Sequence, residues 1–224
     1  MLLTISNLLD HADLIQAREL VSTLAWRDGT ETAGRVASAV KHNSQADLSS
    51  RTGAKLKDAL TKAIQSHPVL RAAAQPKRFS KLLVSKTEAD GGYGLHMDNA
   101  FMGNGDAAIR TDLSFTLFLS EPDEYRGGDL VIEHAGLTES WKGRAGDLVL
   151  YPSTSLHQVA DVTDGTRLVC VGWIESRIQR PDDRELVFDL INLRAELAAK
   201  HDAQSPEILT LAKVIANALR RFSQ

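Results

Sequence analysis

The sequence predicts an α+β protein in which a β-rich middle of sandwich or jelly-roll type is flanked by helices. Three observations predict it. Apolar residues recur at helical spacing before residue 78 and after residue 179, and the stretch between them breaks into short β-rich runs punctuated by Gly, Asp and Pro. The 224 residues, 43% of them apolar, suffice for one sizeable core. Those runs follow one another without intervening helices, which a parallel sheet would need.

In chain order, DHADLIQARELVSTLA (10–25) carries Leu14, Ile15, Val21 and Leu24 at helical spacing, with Asp10 as its cap. Residues 26–50 are polar and read as loop. RTGAKLKDALTKAIQSH repeats a helical stripe through Leu56, Leu60 and Ile64 and stops before Pro68. Residues 1–78 are thus expected to form a helical segment supporting the core, and residues 79–178 the β core itself, with strands in FSKLLVSKT, YGLHMD, DLSFTLFLS, GDLVIEH, AGDLVLYP, LHQVADV and TRLVCVGWI. In 179–224, DDRELVFDLINLRAELAAKH carries Leu186, Leu190, Leu193 and Leu197, and SPEILTLAKVIANALRRF opens on a Ser205 cap with Pro206 in the first turn. These predict a C-terminal helical hairpin packed on the β core. Its leucine stripe is ordinary core, or else a homo-oligomer contact.

Charge and composition exclude several function classes. With 26 basic and 29 acidic residues and a net charge of -3, the chain has no global field for nucleic acid or anionic membrane. No stretch approaches the roughly 20 apolar residues of a membrane span, and MLLTISNLLDHADL lacks a basic leader, so a cytoplasmic protein is expected. The single cysteine, Cys170, excludes an internal disulfide framework and a cysteine-based zinc site; it reads as a small buried apolar residue.

The chemistry lies in GGYGLHMDNA. In an extended strand His96 and Asp98 share a face, with Cα atoms about 7 Å apart, and Met97 points to the other side. Both side chains can then reach one divalent ion at about 2.0 to 2.2 Å. A bare His-x-Asp also serves as a surface pair, but His157, at the start of another strand, offers a third ligand. Two histidines and one carboxylate leave three coordination positions open, as in non-haem iron(II) oxygenases, although zinc could use the same ligands.

An anchor for an oxidisable co-substrate would decide between them, and Arg167 is the candidate. A three-residue turn, Thr163-Asp164-Gly165, with Gly165 left-handed, would pair Asp161 with Arg167 and point Arg167 to the His157 face, roughly 13 Å along the ladder. A guanidinium there suits a short dicarboxylate chelated to the metal at its other end. An Asp161–Arg167 cross-strand ion pair needs no ligand, and spacing leaves both readings open.

Taken together, YGLHMDNA, RTDLSFTLFLSEPDEYRGGDLVIE and AGDLVLYPSTSLH, with Arg167 ten positions on, resemble the bacterial PKHD-type hydroxylases, which are iron(II)- and 2-oxoglutarate-dependent dioxygenases similar to the prolyl and lysyl hydroxylase domain. The likeness spans nearly the whole chain, including VKHNSQAD. It implies a double-stranded β-helix flanked by helices, Fe(2+) on His96, Asp98 and His157, and 2-oxoglutarate held through its distal carboxylate by Arg167. It further implies O2 as second co-substrate, L-ascorbate as reductant, release of succinate and CO2, and no catalytic residue beyond the metal ligands. Lys86-Thr87 stands where the family usually has Arg-Tyr, so a tyrosine near the co-substrate is missing. Asp98 argues against the related halogenases, which carry a small residue there. The substrate is a small molecule, with a siderophore-related one suggested by the family's association with iron uptake, or a protein side chain. A metal-dependent hydrolase or isomerase on a jelly roll and a non-catalytic ligand-binding module are the rival classes.

Around the triad, NAFMGNGDAAIR reads as a mobile loop and candidate substrate lid, or a plain surface connection. Arg110 and Asp112 at its end are expected to pair with each other. Ser153 and Ser155 lack a G-x-S-x-G elbow and do not read as nucleophiles.

Overall fold

The computed structural model describes residues 1–32, 37–134 and 136–224. Two antiparallel sheets face each other. The major sheet runs Leu3–Ile5, Leu148–Pro152, Leu113–Phe118, Arg167–Ser176, Leu83–Thr87, Ser44–Ala46 and Trp26–Asp28, with Pro76–Phe79 on the far half of Arg167–Ser176. The minor sheet runs Leu137–Trp141, Leu130–His134, His157–Val159, Gly92–His96 and Lys41–His42. This is the expected jelly roll.

Strand parity divides the core in two. Leu113–Phe118 is buried on both faces, because helices cover one side of the major sheet and the minor sheet the other. Leu113, Phe115 and Leu117 join Leu148, Leu150, Cys170 and Ile174 in a cluster with the helices. Phe118, Val149, Tyr151 and Val169 turn the opposite way and meet Leu130 and Ile132 between the sheets. Ser114 and Thr116, of the same parity as Phe118, line a cavity there. Cys170 is fully buried, and burial pushes its thiol up to about 12; it packs, as its apolar context predicts.

The helices α1 (His11–Ser22) and α2 (Arg51–Ser66) supply the outer layer. Asp10 caps α1 by accepting from the Asp13 amide at 2.8 Å, and Ser50 caps α2 by accepting from the Gly53 amide at 3.0 Å. Leu56, Leu60 and Ile64 are buried as predicted, whereas Ile15 of the α1 stripe faces solvent. Pro68 stops α2 but also opens a further helix, α3 (Pro68–Ala74): proline suits a first helical turn, where its missing N–H is not needed.

Three expectations are corrected. The stretch 26–50, read as loop, contributes Trp26–Asp28, Lys41–His42 and Ser44–Ala46 to the sheets; each is too short to show an alternation of its own. Part of that stretch, 33–36, lies outside the described residues. The C-terminal helices α4 (Pro181–Ala198) and α5 (Pro206–Phe222) do form a hairpin, with Ser205 capping α5, but the hairpin docks chiefly on α3. Finally, α4 buries Arg184 and Val187, not the leucine stripe; Leu186 and Leu193 are exposed. Arg184 is only 2% exposed and its Nη1 donates to the Ile178 carbonyl at 2.9 Å, which ties the first turn of α4 to the end of the long strand. Among the described residues, no helix is long and apolar enough to cross a membrane.

Candidate metal centre and co-substrate pocket

His96 ends the strand Gly92–His96, and its register partner on the next strand is His157. The register therefore sets the two rings side by side, with centroids 4.3 Å apart. Asp98 lies just past the strand end. Met97, instead of entering the core, is 57% exposed at the cavity rim, because the ladder has already ended there. One ligand atom from each of His96, Asp98 and His157 lies within 4.8 Å of the others. Ligands held at about 2.0–2.2 Å by one ion are at most about 4.4 Å apart, so an inward shift of a few tenths of an ångström would bring all three onto one ion.

Hydrogen bonding prepares both rings. Nδ1 of His96 lies 2.7 Å from the Gly94 carbonyl and Nδ1 of His157 lies 3.0 Å from the Ser155 carbonyl. A carbonyl only accepts, so each Nδ1 carries the proton and each Nε2 keeps its lone pair for a metal. Burial, reinforced by His157, pushes the His96 pKa down to about 4 and keeps that ring neutral. Tyr93 stacks on His96 at 3.6 Å, and Tyr151 meets His157 edge-on at 5.2 Å.

Asp98 is fixed from the opposite sheet. Ser114 Oγ donates to Asp98 Oδ2 at 2.6 Å and is itself 2.7 Å from Ser153 Oγ, both serines being buried. Sequence reasoning passed over Ser114, whose role depends on register across the cavity; its polarity inside the buried run DLSFTLF was the available signal. Ser114→Ala is expected to weaken iron(II) binding by about 10- to 100-fold, the usual effect of removing a group that orients a ligand, as measured by anaerobic titration.

Arg167 opens the longest strand and is in register with Thr87. It lines the same cavity as the triad, but not by way of the expected hairpin. After His157–Val159 the chain leaves the minor sheet: Val162–Gly165 pairs with Tyr125–Gly127, and Arg167–Ser176 enters the major sheet. Gly165 has the expected positive φ, at +76°, yet it turns the chain between sheets. Among the described residues no ion pair joins Arg167 to Asp161. Arg167 is 2% exposed, its Nε and Nη2 have no hydrogen-bond partner among the described residues, and its Cζ lies 5.6 Å from the Phe118 ring. Desolvation pulls its pKa down, opposed by the hydroxyls of Tyr125 and Tyr151 nearby. A buried guanidinium with open donors fits an incoming carboxylate.

Gly128 makes room for this arginine. Its φ is +68°, and a Cβ there would come within 3.0 Å of Arg167 Cδ and of Tyr125 Cε2. Thr87, where the resemblance expects tyrosine, is buried on the same wall. Tyr125 and Tyr151, from other strands, supply the phenols beside Arg167.

As predicted, Arg110 and Asp112 pair, through hydrogen bonds of 2.8 and 3.0 Å, and both bind the backbone of Ser176. The intervening segment forms a small ribbon, Phe101–Met102 with Ile109–Arg110. Met97, Asn99 and Met102 line the cavity, and Phe101 is exposed.

Comparison with known proteins agrees with this geometry. Residues 82–175 match the family model of the 2OG-Fe(II) oxygenase superfamily. The chain is 49% identical over 222 residues to a PKHD-type hydroxylase of Hyphomonas neptunium, covering 99% of each chain. It is 45% identical to one of Synechococcus elongatus over the full length of both. The fold resembles a prolyl hydroxylase of Trichoplax adhaerens solved with a hypoxia-inducible-factor peptide (TM-score 0.59, 15% identity, 78% of this chain and 83% of that one). It also resembles HygX of Streptomyces hygroscopicus with nickel and 2-oxoglutarate bound (TM-score 0.54, 15% identity, 78% and 82%). Near-complete alignment at such identity makes this chain a member of the PKHD-type hydroxylases within the 2OG-Fe(II) oxygenases.

Proposed function

We propose that His96, Asp98 and His157 hold ferrous iron in this dioxygenase, and that Arg167 binds the distal carboxylate of 2-oxoglutarate. The observation that carries the proposal is the conjunction, in one cavity, of the converging triad and a buried arginine with open donors. When bound, iron and 2-oxoglutarate supply O2 activation coupled to decarboxylation, yielding succinate and CO2 and hydroxylating a substrate C–H bond. The chain's own residues do the rest. The two histidines present Nε2 lone pairs, Ser114, itself held by Ser153, fixes the Asp98 carboxylate, and Arg167 orients the co-substrate while Leu130 and Val169 keep water from it.

The exposed ribbon over the cavity mouth serves as the substrate lid. The substrate is a small molecule, such as a siderophore-related one, or a protein side chain. Ascorbate as the reductant keeping iron ferrous, and a cytoplasmic location, rest on the family resemblance and on composition. Residues 79–178 act as the dioxygenase domain, supported by the family match over 82–175, with 1–78 and 179–224 as its helical supports. Leu186 and Leu193, exposed seven residues apart on one face of α4, support a homo-oligomer through the C-terminal helices.

The test mixes protein with iron(II) under anaerobic conditions, then adds 2-oxoglutarate and O2, and measures succinate. Slow turnover without substrate is expected. No O2- and iron-dependent succinate above the metal-free control would favour a different metal chemistry.

A further inference from the structure

The cavity holds a cation that the proposed chemistry leaves unassigned. Lys41–His42 forms the edge of the minor sheet beside Gly92–His96, and Ser44–Ala46 lies in the major sheet beside Leu83–Thr87. The segment 41–46 thus crosses from one sheet to the other along the side of the cavity, and its alternation brings Lys41, Asn43 and Gln45 to the wall while His42 is exposed. Lys41 is only 6% exposed. Its Nζ lies 5.2 Å from the centroid of Tyr93, the ring that stacks on His96.

The two cations have different neighbours. Lys41 acts electrostatically on His96 and Asp98, whereas the polar neighbours of Arg167 are Tyr125, Tyr151 and Asp129. Lys41 therefore stands at the metal end. Burying its ammonium is costly, and burial holds its pKa down to about 8 against the attraction of Asp28 and Asp98. A metal ion bound to Asp98 offsets that attraction and adds a like charge nearby. A carboxylate arriving between ion and ammonium relieves both, since its oxygens can accept from the lysine while binding the metal.

Resting on the triad and Arg167 assignments above, we propose that Lys41 binds the carboxylate of 2-oxoglutarate adjacent to the iron, leaving the distal carboxylate to Arg167. The experiment is an anaerobic titration of iron(II), followed by 2-oxoglutarate monitored through the visible metal-to-ligand charge-transfer band, on wild type, Lys41→Met, Lys41→Gln and Lys41→Arg. The neutral variants are expected to bind iron(II) alone as tightly as wild type or more tightly, yet to bind 2-oxoglutarate about tenfold more weakly, with Lys41→Arg recovering most of the loss. A merely structural lysine would not produce these opposite signs. With 2-oxobutyrate, which lacks the distal carboxylate, the Lys41→Met defect should persist while that of Arg167→Met disappears. Binding of 2-oxoglutarate by the neutral variants within twofold of wild type, or parallel loss of iron and 2-oxoglutarate, overturns the proposal. Wild-type iron binding by Asp98→Ala would instead overturn the triad assignment, whatever Lys41 does.

Discussion

Asp98→Ala is expected to reduce iron(II) affinity by about 100-fold or more and to bring succinate release down to background. Of the three converging donors it is the only anion, so its loss removes both a ligand and the charge that best offsets a divalent ion in a buried site. Outer groups that merely orient a ligand cost about 10- to 100-fold when removed, and a direct ligand sets a larger effect. The variant should stay folded, because Asp98 lies beyond the strand end and accepts its side-chain hydrogen bond from Ser114 rather than from the backbone of the fold. Anaerobic iron titration alongside thermal unfolding separates lost metal from lost fold. Turnover unchanged by this substitution would count heavily against the triad.

Arg167→Met should act in opposite directions on the empty and the loaded protein. In the empty protein a fully buried guanidinium leaves Nε and Nη2 without a partner among the described residues. Replacing it with an apolar side chain of similar length is expected to raise unfolding stability, by about 1–3 kcal/mol, as is often found for buried charges. In the loaded protein the same change removes the partner of a buried carboxylate, which costs about 2–5 kcal/mol and raises the 2-oxoglutarate requirement by about 30-fold or more. Succinate release should be depressed at low 2-oxoglutarate and largely recover at high concentration. In melting experiments with manganese(II), 2-oxoglutarate should stabilise wild type strongly and the variant little. An arginine serving only as structure would give the contrary pattern, a destabilised empty protein with unchanged co-substrate dependence.

How much of this was legible in the sequence depends on the range of each interaction. His96 and Asp98 follow from spacing within one strand and its exit, and His157 from a second strand start; such local rules survive errors in topology. Arg167 was identified on a hairpin argument that the fold does not obey. The residue is right because the jelly roll passes the chain from the minor to the major sheet after Val159, so two sheets face each other across one cavity. Ser114 carried only its polarity inside an apolar run, and Lys41 no local signal at all, since their places are set by register partners far along the chain.

The helical ends teach a related lesson. The stripe of α2 packed into the core cluster with the sheet and was buried, whereas the leucine stripe of α4 left Leu186 and Leu193 exposed. Periodicity shows which face of a helix can be buried, not whether anything covers it. Short strands such as Leu3–Ile5 and Ser44–Ala46 escaped because three residues cannot display a period.

The most direct measurement is an anaerobic crystal structure with manganese(II) and 2-oxoglutarate, located by anomalous scattering. One metal peak about 2.0–2.2 Å from His96, Asp98 and His157, with the distal carboxylate on the Arg167 guanidinium, is the predicted result. A metal bound elsewhere, or a co-substrate that leaves Arg167 without an anion, would contradict it.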